Sequence, residues 1–308
     1  MSKQILFIVK ISAFFVFFGR AYQLFYFGAP YRAIFWDETL MSPIVENVFR
    51  KTWYNYATSD GVDTFLTIFT KFNGFLLLTA GLISLFWSSI KAVRLKKILL
   101  KFGLFSLVFL GICISKDNRN DSFQFFEMCL QFCVPLVLLF QNKFESLPIK
   151  NLNFWFKIAI ALTFIPHGLY AMGVIYLPGH FIDMTIQLLS VNESQAKNIL
   201  FLVGFLDVLF SILIFVPTKF NKYILGYLAF WGFVTAFARI VAGFNIDFIK
   251  SSIHNLSFLT IYRLPHGLIP LAVLIIENNF NKNKLNKNKR NNNETKTSFK
   301  SILSLNNI

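Results

Sequence analysis

Cysteine is scarce in this 308-residue chain. The three present, Cys113, Cys129 and Cys133, all fall in apolar stretches, which excludes the disulfide framework of a small secreted domain. Acidic residues are few as well, 15 against 30 Lys and Arg, for a net charge of +15. Metal-ligand spacing, a Gly-rich phosphate loop, a dinucleotide fingerprint and a hydrolase elbow are all absent, so no signature of metal, nucleotide or serine-hydrolase chemistry is written in the chain. Apolar residues abound instead: they fill 55% of positions, with Phe alone at 40. The mean hydropathy of +0.56 is too high for an ordinary water-soluble domain. Codon bias accounts for which apolar residue is used, but not for how many positions are apolar.

Eight stretches match the ~20 apolar residues that a bilayer core of about 30 Å demands. They are roughly 5–27, 64–88, 98–115, 123–141, 154–177, 198–217, 223–245 and 262–277. The predicted fold is all-α, a polytopic membrane protein. Lys10 and Arg20 interrupt the first stretch where a cleavable signal peptide would be apolar or small, so it reads as a retained helix. Basic residues crowd alternate connections, Lys91–Lys97, Lys143–Lys150 and Lys219–Lys222, and the region after 278, whereas the other loops carry Asp37, Glu38, Glu46, Asp60, Asp63, Asp183 and Glu193. By the positive-inside rule both termini are cytoplasmic, and the reading is a multi-pass protein of a bacterial inner membrane. The basic charge suits topology and anionic lipid, and nucleic acid is not an expected partner. The Asn/Lys-rich segment 279–308 has too few apolar residues to pack and is predicted to be a disordered cytoplasmic tail.

The last four stretches resemble a worn copy of the first four. Arg20-Ala21-Tyr22 and Pro30 align with Gly168-Leu169-Tyr170 and Pro178 at an offset of 148, and Ser122-Phe123 and Pro135 align with Ser257-Phe258 and Pro270 at 135. This predicts two parallel four-helix units, 1–150 and 151–278, related by an axis along the membrane normal. Pro135 and Pro270 are predicted to bend their helices at matched positions. In the outer loop 29–62, Ile44, Val45, Val48, Phe49 and Trp53 fall at helical spacing, predicting an amphipathic surface helix, with similar character in 182–190 and 246–262. Such segments cap the bundle with an aromatic belt or dock a periplasmic or membrane partner.

Ionisable residues inside spans carry the sharpest functional information, because each costs a few kcal/mol facing lipid. They are Arg20, Glu127, His167, Asp207, Arg239, Arg263 and His266, accompanied by Gln23, Asn73 and Gln131. With the predicted helix directions, all but Asp207 lie toward the outer side, which suggests an outward-facing polar cavity. Arg20, Gln23, Glu127, Gln131, His167, Asp207, Arg239 and His266 are the candidate binding residues. Pairing of Arg20 with Glu127 and of Asp207 with Arg239 is a conditional expectation. Each group also has a structural alternative: Arg20 and Arg263 can snorkel to the headgroups, Glu127 can neutralise an arginine, and His266 can serve the turn at Pro265. Cys113, Cys129 and Cys133 are weak candidates for redox thiols and fit small apolar packing better.

The first helix ending in a small/Arg–aromatic–Pro run, with Gly204-Phe205-Leu206-Asp207 in the second helix of the second half, resembles the DoxX/DoxD group. The best match is 166–217, and Asn73 at the corresponding depth of the first half departs from the pattern. The resemblance implies an inner-membrane protein linked with quinone or sulfur redox chemistry. Three functions stay open: the membrane subunit of a redox complex holding a quinone or small sulfur compound in the outer cavity, a carrier or lipid-handling protein, and a non-catalytic scaffold recruiting a periplasmic partner. Whether the chain is an enzyme is left open, and quinone is the cofactor to test.

Overall fold

A computed structural model describes residues 2–141 and 149–280. Of the predicted tail 279–308, residues 279–280 are helical and 281–308 lie outside the described residues, as does the connection 142–148. Helix is the only regular secondary structure among the described residues, which contain no strand. Among the described residues, seven helical segments are long and apolar enough to cross a membrane, and the protein is a multi-pass membrane protein. They begin with α1 (Lys3–Tyr26), whose N-terminus is capped by the Ser2 hydroxyl. Three short surface helices follow: α2 (Arg32–Phe35), α3 (Glu38–Asn47) and α4 (Trp53–Ala57). The next spans are α5 (Asp60–Leu85) and α6 (Val93–Asp117). After α7 (Ser122–Phe126) and α8 (Cys129–Leu139) come the span α9 (Ile149–Ala171) and the surface helix α10 (Gly179–Leu189). The last are α11 (Glu193–Leu213), α12 (Asn221–Gly243), α13 (Ile249–Ile261) and α14 (265–280), the final pair forming the span Ile246–Phe280.

The prediction of eight full spans is therefore met only in part. The stretch 123–141 holds two helices interrupted at Glu127–Met128, and only the apolar Cys129–Leu139 qualifies, as a shorter helix. The last span breaks too, at Tyr262–Leu264. Neither break sits at the proline expected to bend the helix: α8 runs on through Pro135, and α14 through Pro270. Pro265 instead occupies the first position of α14, where a helix needs no N–H from it. The amphipathic loop helix is also shorter than predicted. α3 ends at Asn47, Arg50 takes a positive φ of 52°, and Trp53 opens a separate helix.

α1 buries one stripe, including Ile5, Val9, Val16, Phe17, Arg20 and Leu24, at the three- to four-residue spacing of a helix face. It packs along α5, α8 and α13, while α9 packs along α8 and α11. One apolar core runs through both halves, from Ile5 to Ile276. Outward, α5, α6, α11 and α12 expose rings such as Phe72, Phe105, Phe201 and Phe230, a surface suited to lipid and not to water. α9 and α11 cross with almost no separation: a Cβ on Gly168 would lie 2.5 Å from the Gly204 carbonyl oxygen, and only glycine permits this approach.

Candidate functional site

Both helix breaks face the same end of the bundle, beside the last turns of α1, α9 and α12, and a cavity of about 220 Å³ opens between them. Of the candidates named from sequence, Arg20, Gln23, Glu127, Gln131, His167, Arg239 and His266 all line it. A continuous helix would carry Glu127 and Gln131 on one face, whereas the interruption after Phe126 sets Glu127 at the end of α7 and Gln131 in α8, both still toward the cavity.

Arg20 is 5% exposed and held firmly. Its Nε donates to Gln131 Oε1 at 2.9 Å, its Nη1 donates to Gln23 Oε1 at 2.8 Å, and its guanidinium lies 3.8 Å from the centre of the Tyr262 ring. The expected pair with Glu127 is not made; two neutral amides take its place. Glu127 Oε1 instead lies 3.2 Å from His167 Nδ1, and the two side chains keep 23% and 25% of their surface exposed. Arg263 crosses the same Tyr262 ring at 4.6 Å, and its Nη1 donates to the Tyr262 hydroxyl and to the Leu259 carbonyl. Arg239 completes the set, with its Nε buried and without a hydrogen-bond partner.

Three guanidinium groups therefore surround one carboxylate, an excess of two positive charges before the histidines are counted. Two helices, α8 and α14, begin at the cavity, so their positive dipole ends add to the same field. His180, on α10 and outside the spans, feels it. Loss of hydration, followed by the Arg239 and Arg263 charges, pushes its pKa down from 6.5 to about 4, against a smaller pull from Glu127.

Asp207 lies elsewhere. It is 1% exposed, and its Oδ2 accepts from the Trp231 indole N–H at 3.1 Å, so the expected Arg239 pair is absent. Asn73 is also away from the cavity, accepting from the Ser106 hydroxyl at 2.6 Å. Cys113, Cys129 and Cys133 are free thiols, and none lines the cavity. Sequence reasoning missed Tyr262, Gln124, Thr163 and Thr235, and left Arg263, counted among the outer ionisable groups, out of the candidate binding residues. A usable signal existed for Tyr262, which stands 135 residues after Glu127, the same offset as between Pro135 and Pro270.

Comparisons with protein-family models, with curated proteins and with solved structures found no match for this chain.

Proposed function

We propose that this is a bacterial inner-membrane protein of two four-helix units that receives a small acidic ligand in the outward-facing cavity. The observation that carries the reading is the three-arginine, one-carboxylate lining, with Arg239 Nε buried and unpartnered. Guanidinium groups desolvated inside a membrane protein are costly and are relieved by an anion that accepts two parallel hydrogen bonds. The duplication is supported by the two helix breaks, whose first residues, Glu127 and Tyr262, are 135 apart, the offset read from sequence.

Within the redox-subunit reading, this lining favours a small sulfur oxyanion over a neutral quinone. A quinone carbonyl accepts hydrogen bonds but leaves two positive charges uncompensated. The test is thermal unfolding of the purified protein with thiosulfate or sulfite, and separately with a soluble ubiquinone analogue. An anion at a hundred times its Kd should stabilise by about 2.7 kcal/mol, and Arg239→Gln should abolish the effect. Stabilisation by the quinone alone would transfer the site to quinone binding. The scaffold is the second reading, favoured by the exposed Leu40, Ile44, Val48 and Phe49 on and after α3, and a protein stabilised by neither compound supports it.

A further inference from the structure

A second polar system runs away from the cavity, along the crossing of α11 and α12. Tyr227, Trp231, Thr235 and Arg239 recur every fourth residue, so they form one stripe on α12. At about 1.5 Å per residue the stripe is roughly 18 Å long, over half the thickness of a bilayer core. Its upper members, Arg239 and Thr235, line the cavity, and the Thr235 hydroxyl donates to the Trp231 carbonyl at 3.0 Å.

Asp207 and Ser211, one turn apart on α11, face the lower members. The Trp231–Asp207 hydrogen bond sets an antiparallel register, and the Phe210–Tyr227 ring contact at 4.9 Å agrees with it, so Ser211 comes level with Tyr227. Three oxygens at these two levels, Asp207 Oδ1, Ser211 Oγ and Tyr227 Oη, are buried and have no hydrogen-bond partner. Buried polar atoms are normally satisfied, so three together call for something that satisfies them. Beyond Ser211 the system continues. The Ile214 carbonyl at the end of α11 accepts from Lys157 Nζ at 2.6 Å, and Lys157 forms an ion pair with Glu277.

We propose that this line of groups is a proton route between the cavity and the opposite face, with Asp207 as its proton-binding station. A proton arriving through water from the cavity adds to Asp207 Oδ1, and the acid later releases it toward Ser211, Tyr227 and the Lys157–Glu277 pair, leaving the carboxylate as it began. No electron moves. Waters of the kind that commonly join buried polar groups bridge the oxygens. The groups facing Asp207 suit the task. α12 presents Trp231 and Tyr227, neither charged at neutral pH, and α9 approaches at Gly168, whose Cβ position lies 3.2 Å from Asp207 Cβ, while its Lys157 meets α11 further along, at Ile214. α10 meets α11 at its other end, near Leu200. The route is independent of what the cavity binds.

The experiment is proton flux into liposomes carrying the full chain and an internal pH dye, with a potassium-driven potential, with and without sulfate. Wild-type protein should conduct in at least one condition. Asp207→Asn should cut the flux about tenfold or more, and Asp207→Glu should retain it. Ser211→Ala and Tyr227→Phe should each lower it, which keeps the idea testable should Asp207→Asn fold poorly. Asn73→Ala, in the first half, should conduct normally. Infrared difference spectra across a pH jump should show a protonated-carboxyl band that Asp207→Asn removes. Equal flux in wild type and Asp207→Asn, or no flux above empty liposomes in either condition, overturns the proposal.

Discussion

The two halves of the molecule each carry a polar group deep between helices, and they treat it differently. In the first, Asn73 on α5 is closed off: its Nδ2 donates to the Phe69 carbonyl and its Oδ1 accepts from Ser106 on α6. In the second, Asp207 on α11 accepts a hydrogen bond from Trp231, while its own Oδ1 and the Ser211 and Tyr227 hydroxyls stay open. A closed amide ties two helices together, whereas an open carboxyl retains capacity for a proton or water. The helix crossings differ in parallel. A Cβ on Gly74 would touch the flexible Phe25 and Leu24 side chains at 3.2 to 3.3 Å, but one on Gly168 would strike the Gly204 carbonyl at 2.5 Å.

The largest expected effect breaks the second crossing. Gly168→Leu forces α9 and α11 apart, with no side chain free to yield, and should cost about 3 kcal/mol or more in detergent unfolding, while Gly74→Ala costs about 1 or less. A similar loss from both would erase the distinction between the two crossings. Next in size is an exchange of the two polar groups. Asn73→Asp loses the donor to Phe69 and buries a carboxyl beside Ser106, costing about 1–3 kcal/mol, whereas Asp207→Asn keeps an acceptor for Trp231 and supplies a new donor, and should be neutral or stabilising. The same thermal scans read both, and destabilisation by Asp207→Asn would place that carboxyl among structural groups.

The smallest effect concerns pH at the edges of the two halves. His180 folds with its pKa lowered to about 4. The unfolded chain therefore binds the extra proton first, and stability is lost as pH falls from about 6.5 toward 4. Asp37, whose carboxylate accepts from Lys116, also has a lowered pKa, but its contribution is present above the usual carboxylate range and is lost only in more acid solution. Melting curves from pH 7 to 3 should thus show an earlier loss that His180→Gln removes and a later one that Asp37→Asn removes. Coincident losses would mean that the pKa of His180 is not lowered by folding.

Much of this was legible in the sequence. A bilayer demands about 20 apolar residues per crossing, and that rule marks all seven long spans, although it takes only 262–277 of the last and adds 123–141 as an eighth. Alternating helix direction converts position along a span into depth, which is why Arg20, Glu127, His167, Arg239 and His266 were expected at one end before any contact was known. Only tertiary structure decided which groups meet. Rotation of each helix about its axis leaves depth unchanged but chooses the neighbour, so Arg20 found Gln131 and Tyr262 instead of Glu127, and Asp207 found Trp231 instead of Arg239. The interruption at Glu127–Met128 was equally hidden, because it lies well before Pro135, whereas the one at Tyr262–Leu264 had a local mark in Pro265, which directly follows it.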